Sequence, residues 1–139
     1  MCEHFHIPFI ELPYEPQAWL EAVKGLESEP ERGARCSACF LFRLTRAAEY
    51  AREHGYRALS SVLGVSRYKD LEQVNRAARP ACQSAGITYD ETNWRKGGVE
   101  ELRRAVWKEL QFYAQQYCGC VFSLRARQGE KDEKKAQKN

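Results

Sequence analysis

The sequence predicts an α/β fold built on a parallel sheet, and two observations carry that expectation. Short, largely β-branched apolar runs alternate with longer stretches of helical period, in the order strand, helix, helix, strand, helix, strand, helix. One of those stretches, from Val99 to Tyr113, places Val99, Leu102, Val106, Leu110 and Tyr113 on a single stripe with steps of three and four.

Each element has its own local reason. Ile7-Pro8-Phe9-Ile10-Glu11-Leu12 is short, apolar and bounded by prolines, and reads as a buried strand. Pro16 opens a helix whose apolar face is Trp19, Leu20 and Val23, with Gly25 ending it. Glu27 to Arg35 is polar and punctuated by Pro30 and Gly33, hence a loop. A second helix is expected from about Ser37 to His54, where Leu41, Leu44, Ala48 and Ala51 recur at helical spacing and Gly55 stops the turn. Arg57 to Leu63 reads as a strand. Ser66 is a candidate cap for a shorter helix carrying Leu71 and Val74, which Pro80 is expected to end. Gly86 to Asp90 is a weaker strand, and Gly97-Gly98 precedes the striped helix. Tyr89, Trp107, Phe112, Tyr113 and Tyr117 read as core. No internal repeat is present.

The chain has 139 residues, 43% hydrophobic and 29% charged, which suits one folded domain. No run of about 18 apolar residues exists, so no transmembrane helix is available and no membrane partner is expected. Sixteen Lys/Arg balance sixteen Asp/Glu in residues 1–124, and the net +3 arises from the last fifteen residues. That stretch reads as a solvated, charged tail, and charge alone is weak evidence for a nucleic-acid partner.

Chemistry concentrates in the cysteines. Six of them beside an N-terminus with no export signal point to a cytoplasmic protein with metal or redox chemistry, not a disulfide scaffold. Cys36-Ser37-Ala38-Cys39 lies at the start of the second helix, where free N–H groups and the helix dipole favour thiolates, and Arg35 and Arg43 add positive charge. Cys118-Gly119-Cys120 follows the last apolar helix. Glycine lets both thiols face one point, and a disulfide across one residue would be strained and labile. Together the pairs suit zinc, an iron–sulfur cluster or a redox dithiol, and spacing does not choose among them. Cys82 reads as incidental, and Cys2, His4 and His6 as non-ligands. Asn93-Trp94-Arg95-Lys96-Gly97-Gly98 is either a phosphate site with a stacking indole or a solvated helix start.

Glu29-Pro30-Glu31-Arg32-Gly33 leads through Arg35 into Cys36-x-x-Cys39-Phe40. Taken with Ser66-Arg67-Tyr68-Lys69, Asn93-Trp94-Arg95-Lys96-Gly97-Gly98 and Tyr117-Cys118-Gly119-Cys120-Val121-Phe122-Ser123-Leu124, it makes the sequence closely resemble the QueH-type epoxyqueuosine reductases from about Cys2 to Leu124. The resemblance implies a Rossmann-like, nucleotide alpha-hydrolase-like parallel sheet with flanking helices. Residues 1–124 would form a single α/β domain, and 125–139 a disordered tail. It implies reduction of the epoxide on epoxyqueuosine to give queuosine at the wobble position of certain tRNAs, with a [4Fe–4S] cluster and an additional iron. Cys36 and Cys39 would be iron–sulfur ligands. Cys118 and Cys120 would be a redox-active pair or ligands of a second iron. Arg95 and Lys96 would lie near the tRNA or its modified base, and an electron donor would be the further partner.

Two departures from the family pattern stand out. Family members carry an adjacent Cys-Cys pair at the end of a first, central strand. Here the N-terminal β-α unit is expected to be missing and the domain incomplete, with Cys2 no substitute. Residues 75–91 match less well. Two other classes fit the same cysteines: a non-catalytic zinc module holding Cys36, Cys39, Cys118 and Cys120 with an RNA-binding role, and a metal-free thiol oxidoreductase working through Cys118 and Cys120.

Overall fold

The structure is a computed structural model and describes residues 2–66, 68–113 and 115–136. Its element order is α1 (Pro16–Ala22), α2 (Ala34–Glu53), β1 (Ala58–Ser60), a 3₁₀ turn (Leu63–Val65), α3 (Leu71–Ala85), β2 (Thr88–Asp90), α4 (Val99–Leu110) and α5 (Val121–Ala136). The α/β class holds in a reduced form. β1 and β2 pair in parallel with Leu59 opposite Tyr89, and α3 is the crossover between them. Two strands of three residues do not amount to the extended Rossmann-like sheet that was expected.

The core lies between α2 and α3. Phe40, Leu44 and Ala48 of α2 meet Val74, Ala77, Ala78, Ala81, Cys82 and Ala85 of α3, and Leu59, Leu63, Ile87 and Tyr89 pack against them. Five of these nine buried residues are alanines, so the two helices approach closely across small side chains. Cys82, read as incidental, is a core residue. Burial alone raises its thiol pKa. Tyr89 reaches into this layer and donates its hydroxyl to Asn75 Oδ1 at 2.9 Å, which satisfies both polar ends.

Helix boundaries follow their caps. Pro16 occupies the first turn of α1, where a missing N–H costs nothing. Asp70, not Ser66, caps α3, its carboxylate accepting from Gln73 N–H at 2.7 Å, and Gly86 ends the helix with φ +70°. Pro80 does not end α3. Only its own N–H is lost from the ladder, and Ala77, Ala78, Ala81 and Ala85 on either side are held by burial against α2.

Four further expectations are corrected. Ile7–Leu12 is irregular and largely exposed, with Phe9 71% exposed. Pro8 and Pro13 donate no N–H, and the run pairs with neither β1 nor β2. The striped helix forms, but α4 buries nothing, and Leu102 and Trp107 are exposed. The outer face of the sheet, Ala58, Ser60, Thr88 and Asp90, is exposed and small or polar, so it offers that stripe no apolar seat. Of the aromatic residues read as core, Tyr89 does pack there, whereas Trp107 and Tyr113 are exposed. Arg125–Ala136, expected to be a disordered tail, continues the helix begun at Val121. Good helix formers and an Arg127–Glu130 pair at 2.8 Å support it, and residues 137–139 lie outside the described residues.

The cap at Asp70 is directly testable. Asp70→Ala is expected to lower unfolding free energy by about 1 kcal/mol, read as a lower urea midpoint at unchanged slope. An unchanged midpoint contradicts the cap.

Candidate metal centre

The chain arranges its thiols at two helix starts. α2 begins three residues earlier than the sequence suggests, so Cys36 sits in its first turn and Cys39 one turn on. The segment before it is built to hold that start. The Glu29 carboxylate accepts from Ala34 N–H at 2.9 Å, and a Cβ on Gly33 would stand 2.5 Å from the same carboxylate. Only glycine leaves that space open. Arg35, 5% exposed, donates to the carbonyls of Glu27 (2.7 Å) and Glu29 and lies 4.8 Å from the centre of the Phe122 ring. From α3, Gln73 Nε2 donates to Arg32 O (2.9 Å), Gly33 O (3.0 Å) and Ser37 Oγ (2.7 Å). The Glu-Pro-Glu-Arg-Gly-x-Arg-Cys pattern is thus a brace for the first cysteine pair.

Cys118-Gly119-Cys120 comes after α4 and immediately before α5, of which only the part from Arg125 onward was expected in the tail. Cys120 caps α5: its sulfur lies 3.4 Å from Ser123 N and its carbonyl accepts from Leu124 N–H at 3.1 Å. Gly119 has φ +115°, a conformation L side chains rarely adopt, and this lets the backbone turn between the two thiols. Both cysteine pairs therefore lie at the positive ends of helix dipoles.

The four sulfurs share one neighbourhood, close enough that Cys36, Cys39 and Cys118 each respond to thiolate charge on members of the other pair. All six cysteines are free thiols. Burial pushes the Cys36, Cys39 and Cys118 thiols up. Opposing it, Arg32 N–H points at Cys36 Sγ (3.3 Å), the Trp19 indole N–H at Cys39 Sγ (3.2 Å), and the buried Lys69 ammonium stands beside the Cys118 thiol. Lys69 also donates to Cys118 O at 3.2 Å. Each sulfur thus has a donor at hand. Among the described residues, no three His, Cys, Asp or Glu side chains already converge as a closed ligand group. The site matches a thiolate-bound metal or cluster in donor chemistry, while its ligands stand open.

Sequence reasoning missed Trp19 as a sulfur partner, because its helical spacing reads simply as apolar. Lys69 carries no signal of its own outside the Ser66-Arg67-Tyr68-Lys69 motif, of which Arg67 lies outside the described residues. Arg95 does not reach the thiols. Its guanidinium donates to the carbonyls of Ser66 (2.8 Å) and Lys69 (3.0 Å) and so clamps the loop that delivers Lys69. Lys96 is exposed at the same turn, and Trp94 donates to Ser60 Oγ at 3.4 Å.

The pKa directions give a test. A raised thiol pKa means less thiolate at a given pH, so at pH 8 Cys36, Cys39 and Cys118 of the metal-free chain are expected to react with iodoacetamide more slowly than free cysteine. Their rates should keep rising beyond the ordinary value of 9.0. Lys69→Met removes the cation that pulls Cys118 down and should slow that residue further, several-fold, by peptide mass spectrometry. An equal or faster rate at Cys118 contradicts the assignment of Lys69.

A sequence profile described as Epoxyqueuosine reductase QueH matches residues 1–126. Proteins named Epoxyqueuosine reductase QueH from Histophilus somni (strain 129Pt) and Acinetobacter baylyi (strain ATCC 33305 / BD413 / ADP1) are 45% and 47% identical to this chain over 125 residues. That is 89% of this chain, and 51% and 57% of the relatives. The relative from Thermotoga maritima (strain ATCC 43589 / DSM 3109 / JCM 10099 / NBRC 100826 / MSB8) is 36% identical over 113 residues, 81% of this chain and 59% of its own. The chain spans about half the length of the curated relatives it matches. With the profile match running through both cysteine pairs and the brace that holds them, the chain belongs to the epoxyqueuosine reductase QueH family.

Proposed function

We propose that this chain carries the thiol centre of an epoxyqueuosine reductase acting on tRNA. The observation that carries the reading is the meeting of Cys36-x-x-Cys39 and Cys118-x-Cys120 at two helix starts, in a member of this family. Deoxygenating an epoxide to an alkene breaks two C–O bonds, forms a C=C bond, takes up two electrons and two protons and releases water. Cys118 and Cys120 as a dithiol hold two electrons and two protons, and their oxidation to a disulfide balances the reaction. An external reductant, the electron donor, then restores the thiols.

The donor set suits a [4Fe–4S] cluster with Cys36 and Cys39 among its ligands, and such a cluster supplies electrons singly. Cys118 and Cys120 have a second role open to them, as ligands of an additional iron. The chain's own residues do the rest. Lys69, buried beside Cys118, places a positive charge where a departing oxygen develops negative charge. Arg95 fixes the loop bearing Lys69. Lys96, exposed beside it, is available to tRNA phosphates. No described helix is long and apolar enough to cross a membrane. Free thiols of this kind persist in a reducing cytoplasm, where we place the protein. The second reading, a zinc module with an RNA-binding role, rests on the same four-thiol neighbourhood.

The experiment is nucleoside analysis of tRNA from a strain unable to reduce epoxyqueuosine and supplied with this chain. Queuosine is expected to appear with the unsubstituted chain. With Cys118→Ser it should fall at least about 100-fold, the scale lost when a reacting group is removed. Persistence of epoxyqueuosine while the chain is folded and iron-loaded overturns the reading, and stoichiometric zinc in its place supports the zinc module.

A further inference from the structure

We propose that Trp19 is the positioning residue of the thiol centre: its indole N–H holds the Cys39 sulfur, and its ring, against Phe122, fixes the second cysteine pair to the same point. The inference rests on the proposed reading of Cys36 and Cys39 as cluster ligands with Cys118 and Cys120 beside them.

Three observations converge on this residue. The indole nitrogen lies 3.2 Å from Cys39 Sγ. The ring lies 5.9 Å, centre to centre, from Phe122, two residues beyond Cys120, and Arg35 of α2 covers the same phenyl ring at 4.8 Å. Phe122 is therefore shared by α1 and by the start of α2, and wherever it sits the Cys118-Gly119-Cys120 turn must follow. Finally, α1 itself contributes no buried side chain. Its contact with the site is carried by Trp19, which is half-buried with its only polar atom aimed at sulfur.

The choice of acceptor is informative. An indole N–H is a donor only, and a neutral thiol is a weak acceptor. A thiolate, free or metal-bound, is a much stronger one. The bond is therefore worth most when Cys39 carries negative charge. Donors to a ligating sulfur draw charge from it and raise the reduction potential of the centre it holds. Trp19 adds a side-chain donor to the backbone donor at Cys36, so removing it changes the electronics of one ligand and leaves the ligand in place.

The test uses the full chain reconstituted anaerobically with iron and sulfide and titrated potentiometrically. Trp19→Phe removes the N–H but keeps a ring against Phe122. Its midpoint potential is expected to move negative, at unchanged melting temperature and iron content. Phe122→Leu keeps the N–H and loses the ring pair, and is expected to lower iron content and melting temperature while the assembled centre stays at the parent potential. A Trp19→Phe potential equal to the parent's overturns the proposal. On the unsubstituted chain, cadmium bound in place of iron should move the Trp19 indole proton resonance downfield, and a resonance left at its metal-free position overturns it independently. Failure of the unsubstituted chain to take up either iron or cadmium overturns the thiol-centre reading itself, and this inference with it.

Discussion

The alanine-lined contact between α2 and α3 is the constraint on which the rest of the structure depends. Ala48, Ala77, Ala78, Ala81 and Ala85 let the helices close to a distance that larger side chains would forbid. That distance brings Gln73 of α3 under the first turn of α2, where one amide nitrogen holds two carbonyls and a hydroxyl. The position of Cys36 and Cys39 is thus set by a core contact, through Gln73, together with the loop that precedes them. The same helix pair supplies the surface on which Leu59 and Tyr89 lay down the two-stranded sheet.

The site balances opposing electrostatic effects. Burial disfavours thiolates, and four sulfurs in one place repel one another when charged. Against this stand two helix N-termini, the N–H groups of Arg32, Trp19 and Ser123, and the Lys69 ammonium. In the proposed reading, a cationic cluster held by Cys36 and Cys39 would relieve that balance. Lys69, the one buried lysine among the described residues, belongs to this arrangement, and Arg95 clamps the loop that carries it.

Much of the fold was legible because local rules and tertiary packing agreed. Gly55 and the periodic apolar face of α2, the α3 crossover and the strand at Ala58–Ser60 all follow from spacing. Where they disagreed, tertiary context prevailed. Ile7–Leu12 has a strand's composition but carries prolines at 8 and 13 and joins neither strand of the sheet, and Pro80 is carried inside α3 by the burial on either side of it. The stripe of α4 was read correctly as a helix and wrongly as a buried one, because no pattern within a segment reveals whether a face waits for it. At the proposed site, residue types and spacing single out the two cysteine pairs as candidates. Their partners were harder to see: Trp19 is 20 positions from Cys39 and Lys69 is 49 from Cys118, and nothing local in the sequence links either pair.

The central proposal is that Cys36 and Cys39 hold an iron–sulfur cluster beside the Cys118 and Cys120 pair. It is tested most directly by counting iron, acid-labile sulfide and zinc per chain after strictly anaerobic purification, in the unsubstituted chain and in Cys36→Ser and Cys120→Ser. The account predicts about four iron and about four sulfide per chain, as a [4Fe–4S] cluster demands, with loss of sulfide when Cys36 is replaced and its retention in Cys120→Ser. Iron and sulfide retained in full by Cys36→Ser would contradict the assignment of the first pair. One equivalent of zinc with no iron or sulfide would contradict the cluster.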